Sequence, residues 1–288
     1  MGEQGLEFKL VVSPQGDANY NLAVDDALMN FVRENQRKEI FIRFHRYKSA
    51  AIIAAYRQHL SDFNLSTMRN LGISLARRKT TGGAMYCSGR ESSELHFSII
   101  GCAVNGILGN SVQVHEYFGN RTVSCLKEKE LGIDARLGQM FFVKIGDLPI
   151  VGTAQHWTAP GCEFLYQGTI PVQKFDAELL AKVINLRPGE KEIIEKLPHL
   201  SAYTKWSSDY LKARFIGAWI DSHKTKIIEL GDLDMGDKIA EAKSMYENED
   251  WKFKSSIEND PALASDRGFC FCGPFYQKPK TAPKSATS

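Results

Sequence analysis

Apolar and polar positions along the chain follow two rhythms, and the changes from one to the other divide the sequence into elements. Leu6 to Val12 is a short apolar run stopped by Ser13-Pro14, which predicts a strand entering a loop. From Asn21 the spacing lengthens to three and four, so that Val24, Ala27, Leu28, Phe31 and Val32 share one face of an amphipathic helix. Asp25 and Asp26 are expected in its first turn, where the helix dipole favours acids. Ile40 to Tyr47 alternates apolar and basic residues, and Ala50 to Ala55 is small and apolar; both predict strands. Ile73 to Ala76 and Leu95 to Ile100 predict two more. Val114, Phe118, Cys125 and Leu126 mark a long helix running to Glu130, with Gly132 as its C-cap. Phe141 to Ile145 and Pro149 to Gln155 form a hairpin around Gly146-Asp147, and Glu163 to Ile170 adds a strand after Pro160-Gly161. Ala177 to Ile184 and Tyr210 to Ile220 predict helices, and Ile239, Ala242, Met245 and Tyr246 give a last helical pattern inside the charged stretch 227–253.

Strands and helices come in groups without strict alternation. That order predicts an α+β fold, mixed or antiparallel sheets packed with helices, over a doubly wound parallel sheet. The expected domains are a main domain over 1–222, a small C-terminal accessory segment over 223–256, and an irregular or disordered tail over 257–288, rich toward its end in Pro, Lys, Ser and Thr. A chain of 288 residues, 43% hydrophobic and 24% charged, can bury a full core and reads as a soluble globular protein. No apolar run approaches the length of a bilayer crossing, and Met1-Gly2-Glu3-Gln4 lacks the features of a secretory signal, so the expectation is a cytoplasmic protein without a membrane partner. A net charge of +2 is too small to attract nucleic acid by field alone. The six cysteines are scattered, which suggests neither a disulfide framework nor a zinc ribbon. Cys270 and Cys272 are a close pair without a second pair nearby, so no metal site is expected there.

One stretch departs from both rhythms. After the strand-like run to Ala76 come three cations, Arg77, Arg78 and Lys79, then Thr80-Thr81-Gly82-Gly83-Ala84 before bulk returns at Met85 and Tyr86. Glycines admit backbone conformations barred to other residues and let N–H groups approach a ligand, while an arginine fork matches carboxylate or phosphate oxygens. The stretch has the composition of an anion-holding loop. A Gly-Gly turn with a solvated basic approach is the alternative.

That loop, the segment Pro149-Ile150-Val151-Gly152-Thr153-Ala154-Gln155, and the later Gln167-Gly168-Thr169 occur in an order and spacing that resemble the lipoate–protein ligases, within the biotin/lipoate ligase and octanoyltransferase fold. The likeness covers roughly residues 6–255. It implies a ligase-like catalytic domain, with ATP-dependent activation of lipoate or octanoate to the acyl-AMP and transfer to a lysine of a lipoyl carrier domain. Mg²⁺ would accompany ATP, and an accessory subunit is a further expected partner. By the same resemblance Arg77 is a candidate catalytic cation, and Lys79, at a loop position that is usually not cationic in the family, is a second candidate. Arg78, Thr80, Thr81, Gly82, Gly83, Ala84 and Tyr86 would cradle the anions. Gly152, Thr153, Ala154, Gln155, Gln167, Gly168 and Thr169 would line the acyl tunnel and the nucleotide edge.

Three departures fall inside the implied site. Pro149 stands where the family carries a lysine, Thr81 replaces the first glycine of a triplet, and Cys87 replaces the closing histidine. Proline has neither charge nor N–H, so another cation must act. Lys79 and Lys144 are the candidates, with Lys79 starting nearer the loop. Two alternatives stay open. One is lipoyl or octanoyl transfer from a carrier protein without ATP, for which Cys87 is the thiol in the loop. The other is a non-catalytic acyl-binding or partner subunit that lost the ligase lysine.

Overall fold

The computed structural model describes residues 6–103, 108–138, 142–158 and 163–253. The expected tail 257–288, with Cys270 and Cys272, lies outside the described residues, as do Pro160, Gly161 and Cys162. In chain order the elements are β1 (Glu7–Val12), α1 (Ala18–Glu34), β2 (Ile40–His45), β3 (Ala51–Ala54), α2 (Leu65–Asn70), β4 (Ser74–Arg77), β5 (Met85–Cys87) and β6 (Glu94–Cys102). There follow α3 (Ser111–Lys127), β7 (Ala135–Leu137), β8 (Phe142–Ile145), β9 (Leu148–Trp157), β10 (Glu163–Pro171), α4 (Ala177–Val183) and α5 (Glu190–Lys196). The chain closes with α6 (Ser208–Ile220), β11 (Lys224–Glu229), α7 (Gly236–Glu247) and α8 (Glu249–Lys252).

Eight strands form one sheet in the order β11-β1-β2-β6-β10-β9-β8-β7, and three form a second, β4-β3-β5. The β11, β1 and β2 strands run parallel, whereas β2 through β7 are antiparallel neighbours, and the small sheet pairs β3 parallel to β4 and antiparallel to β5. This is the mixed α+β architecture expected from the order of elements. Among the described residues no helix is long and apolar enough to cross a membrane.

Helix α1 lies where the two sheets and the C-terminal helices meet. Val24, Leu28 and Val32 pack with Val11, Phe41 and Ile100 of the large sheet, while Ala18, Leu22 and Ala23 pack with Ile53, Ala76 and Cys87 of the small one. The opposite face of the large sheet is covered by α3 and α6, where Trp219 stacks on Phe44 with ring centroids 5.4 Å apart. The start of α1 is set by Asp17, whose side chain accepts from the Tyr20 N–H at 2.7 Å. The helix therefore begins at Ala18, and Asp25 and Asp26 fall in its middle turns, buried at 1% and 5% exposure. Their expected place in the first turn is corrected by that cap. Helix α3 likewise stops at Lys127, ahead of the expected Glu130; Gly132, at φ +60°, turns the chain beyond it.

The first strand of the segment expected as an accessory, β11, joins the main sheet. Strand β11 pairs with β1 from Glu7↔Lys224 to Val12↔Glu229, and Ile228, Leu230 and Met235 join the core beside Val24 and Leu28. An edge strand keeps a polar face toward water, and Lys224 and Lys226 are exposed on β11.

Candidate active site

The glycine loop spans the gap between β4 and β5 of the small sheet. Its two arginines serve the loop itself. Arg77 is fully buried; its Nη1 donates to the carbonyls of Ala55 (2.8 Å), Tyr56 (3.2 Å) and Gln58 (2.8 Å), and its Nε to that of Lys252 (2.9 Å). Arg78 Nη2 donates to the carbonyls of Thr81 (2.9 Å) and Gly83 (2.8 Å), which braces the turn that Gly82 makes at φ +102°. Donors held by peptide carbonyls do not reach outward to an anion. These bonds make Arg77 and Arg78 part of the framework of the loop.

Lys79 has the opposite environment. Its Nζ lies 2.5 Å from Oδ2 of Asp26 on α1, with the lysine side chain 29% exposed and the carboxylate 6% exposed. It opens into a cleft of about 510 Å³ shared with Thr81 of the same loop, Gln155 and His156 of β9, and the rings of Tyr56 and Trp251. Arg57 and Trp157 complete its walls. Gln155 is held by both ends of its amide, donating from Nε2 to the Ser111 carbonyl and accepting at Oε1 from Trp157 Nε1, each at 2.8 Å. Burial, then the Lys79 charge, lower the His156 imidazole below its ordinary range, with the Asp26 carboxylate opposing.

Beneath the loop runs a buried polar network. Thr80 Oγ1 donates to Gln167 Oε1 at 3.1 Å, and Gln167 Nε2 donates to Asp25 Oδ2 at 2.7 Å, which also accepts from Ser98 Oγ at 2.6 Å. Arg43 closes the chain through Asp25 Oδ1 at 2.9 Å and Asn21 Oδ1 at 2.5 Å. Burial pushes the Asp25 carboxyl up, against the lowering effects of Arg43, Ser98 and Gln167. The network ties β10, α1, β6 and β2 to the loop, so Thr80 and Gln167 form its floor.

The remaining candidates sit in the sheets. Gly152, Thr153 and Ala154 pair with Thr169, Gly168 and Gln167 across β9 and β10. Gly168 has no side chain because a Cβ there would lie 2.2 Å from Phe97 Cζ in the core. Thr169 Oγ1 donates to Met85 Sδ at 2.8 Å and lies 3.0 Å from His96 Nδ1. Ala84 and Tyr86 pack in the small-sheet core with Ile52 and Leu180, where burial pushes the Tyr86 hydroxyl up to about 12. Cys87 is fully buried in the apolar cluster of Ala51 and Ile53, beside the Tyr47 hydroxyl, and faces no cleft. Lys144 pairs with Pro149 in the β8/β9 register, and its aliphatic stem covers Gly138, 3.0 Å from where a Cβ would stand. Lys144 is not among the residues that line the cleft.

Lys79, Thr81 and Gln155 are therefore the sequence candidates that the fold brings to one cleft. Asp26, Tyr56, Arg57, His156, Trp157 and Trp251 were missed. Asp26 carried a legible signal, since two acids enclosed by Leu22, Ala23, Val24, Ala27, Leu28 and Met29 have little room for water on either flank. Trp251 carried none, because it arrives from the far end of the chain. Among the described residues no group of three or more His, Cys, Asp and Glu side chains converges as a metal site. The cations and rings of the cleft fit an anionic head group and a planar ring, and supply no cage for a bare metal ion.

A mixed sheet beside a smaller sheet that carries a glycine loop, with a lysine-bearing cleft between loop and hairpin, defines an α+β domain. Residues 17–203 match the lipoyl protein ligase A/B catalytic domain, and the chain belongs to that family. Over 137 residues it is 26% identical to lipoate-protein ligase A subunit 1 of Thermoplasma acidophilum, a match covering 47% of this chain and 48%, about half, of that protein. It is 23% identical over 277 residues to the octanoyltransferase LipM of Clostridioides difficile, covering 86% of this chain and 99% of the relative. The fold is shared with a lipoate-protein ligase A bound with ATP, at a TM-score of 0.71 and 20% identity over 87% of this chain and 99% of the other. It is shared equally with the bi-partite lipoate protein ligase of T. acidophilum described with its E2 lipoyl domain, at a TM-score of 0.69 and 21% identity over 88% and 98%.

Proposed function

We propose that this chain is a lipoate–protein ligase-like enzyme that activates lipoate or octanoate with ATP and passes the acyl group to a lysine of a lipoyl carrier domain. The observation that carries the reading is the meeting of both motifs in one cleft, Lys79 and Thr81 from the loop facing Gln155 and His156 from β9. Joining a carboxylate to a phosphate requires two anions to approach, so the site needs fixed cations more than an acid or base. Lys79 and Arg57 supply them in place of the lysine lost at Pro149. The rings of Tyr56 and Trp251, with centroids 5.9 Å apart, offer a surface for the nucleobase. ATP supplies the anhydride whose cleavage drives amide formation, and Mg²⁺ would travel with its triphosphate, held by phosphate oxygens and water. The carrier domain is the protein substrate, in the cytoplasm, and the naming of the Thermoplasma relative as a subunit supports an accessory partner.

The test is incubation with lipoate, Mg-ATP and a lipoyl carrier domain, reading the carrier by mass. A lipoyl increment is expected, and Lys79→Ala should slow its appearance by about 100-fold or more, the scale of losing one electrostatic group aimed at developing charge. Failure of the wild-type chain to lipoylate the carrier overturns the ligase reading.

Specific observations favour second readings. The near full-length match to an octanoyltransferase supports acyl transfer from a carrier, which would proceed without ATP. The described cysteines, Cys87, Cys102 and Cys125, are all buried, so none of them stands ready as the nucleophile. Pro149, together with two arginines committed to backbone carbonyls, supports a non-catalytic subunit, which would bind acyl groups or partners without turnover.

A further inference from the structure

We propose that His156 is a catalytic residue, the base that takes the proton released when the carrier lysine attacks the acyl group. For the reaction this rests on the ligase reading above, and for the residue on the geometry of the cleft. Side chains of β9 alternate between the two faces of the sheet. His156 stands opposite Leu165 of β10, and residues directly paired across two strands share a face. Leu165 packs with Val24 and Leu28 of α1, so the imidazole lies on the face covered by the helix that bears Asp26, the partner of Lys79. There it lines the cleft with Lys79, Thr81 and Trp251. Strand β9 is fixed on either side of it, Gln155 by the Ser111 carbonyl and Trp157 by the ring of Phe164, with centroids 5.4 Å apart.

Other polar groups of the cleft are cations or are already engaged. Lys79 and Arg57 carry protons and accept none at neutral pH. Gln155 is bonded at both ends of its amide, and the buried Asp26 carboxylate holds Lys79 at 2.5 Å. His156 differs from all of these. Among the described residues no hydrogen bond or ion pair engages its ring, and its ring nitrogens reach solvent. The charged groups that face it are Lys79 from the loop, Arg57 from the segment after β3, and Asp26 from α1. Burial and the Lys79 charge outweigh the carboxylate, so the ring is neutral at pH 7 and offers a lone pair.

Activation joins two anions and releases no proton, whereas transfer does. Water takes the first proton from the incoming lysine ammonium. The freed amine bonds to the acyl carbon, the carbon–oxygen bond to the phosphate breaks, and AMP leaves with that electron pair as an anion. The nitrogen, positively charged as the new bond forms, gives its second proton to a His156 ring nitrogen, which returns it to water.

The test separates transfer from activation. Full-length wild type and His156→Gln are given chemically prepared lipoyl-AMP and a lipoyl carrier domain, and single-turnover transfer is followed by carrier mass from pH 5 to 8. Adenylate formation from lipoate and Mg-ATP is measured apart, as pyrophosphate release. The ratio of transfer rate to adenylation rate should fall by about 100-fold in His156→Gln, the lower end of what general base catalysis contributes. Both proteins lose rate as the carrier amine protonates, and the wild type should show an added fall below about pH 6.5 that His156→Gln lacks. Transfer and adenylation lowered by the same factor, a low-pH fall kept in His156→Gln, or no transfer by the wild type from supplied lipoyl-AMP would each overturn the proposal. A wild type that transfers from supplied lipoyl-AMP yet makes none from ATP sinks the ligase reading alone.

Discussion

Arg77 sits against four peptide carbonyls, those of Ala55, Tyr56, Gln58 and Lys252, and replacing it would leave buried acceptors without donors. Arg77→Ala should lower unfolding free energy by about 3 kcal/mol or more, measured by urea denaturation, since each stranded buried acceptor costs about 1–3 kcal/mol. Loss of ligation in that variant would then report a collapsed loop. His45 supports a pH prediction. Burial lowers its pKa well below the ordinary value, with the charges of Arg43 and of His96 adding to the shift, and Tyr47 Oη lies 3.3 Å from Nε2. The unfolded chain thus takes up the proton first as pH falls through about 6.5, and stability present above that pH drains away below it. His115 and His199, also lowered by burial, act with the same sign. The midpoint of thermal unfolding should fall between pH 7.5 and 5.5 by this reasoning, and His45→Gln should flatten the fall. A slope unchanged in His45→Gln would remove that histidine from the account.

Among elements, the β9/β10 pair shows what local pattern conveys. Strand rhythm locates both, whereas the approach of Phe97 to the empty Cβ position of Gly168 comes from packing that strand rhythm does not carry. Gly168→Ala should destabilise by about 1–3 kcal/mol through overpacking, seen as a lower urea midpoint. The long helices α1 and α3 were legible because several turns repeat the apolar spacing, whereas α2, at six residues, completes too few turns to show one. The ends were less legible than the bodies, since Asp17 moved the start of α1 by a hydrogen bond that periodicity does not register.

At the scale of the molecule, the C-terminal segment decides both packing and site. Strand β11 covers the edge of β1, Met235 and Ile228 fill the face of α1, and Trp251 completes the cleft. A chain ending at His223 should expose β1 as a bare edge and lose cooperative unfolding, with aggregation visible by light scattering. A truncated chain that stays monomeric and melts cooperatively would show that residues from 224 onward are an addition to a self-sufficient domain.

The sequence by itself determined the order of elements, the mixed α+β class, the family and the loop whose glycines and cations mark it, because these depend on side-chain type and on spacing along one strand or helix. Tertiary structure decided which of three adjacent cations faces the cleft. Arg77 and Arg78 met carbonyls, and Lys79 met a carboxylate from α1 that lies 53 positions earlier in the chain. A charge takes its role from the partner that reaches it first, and partners so distant in sequence are brought together by the packing of a helix between two sheets.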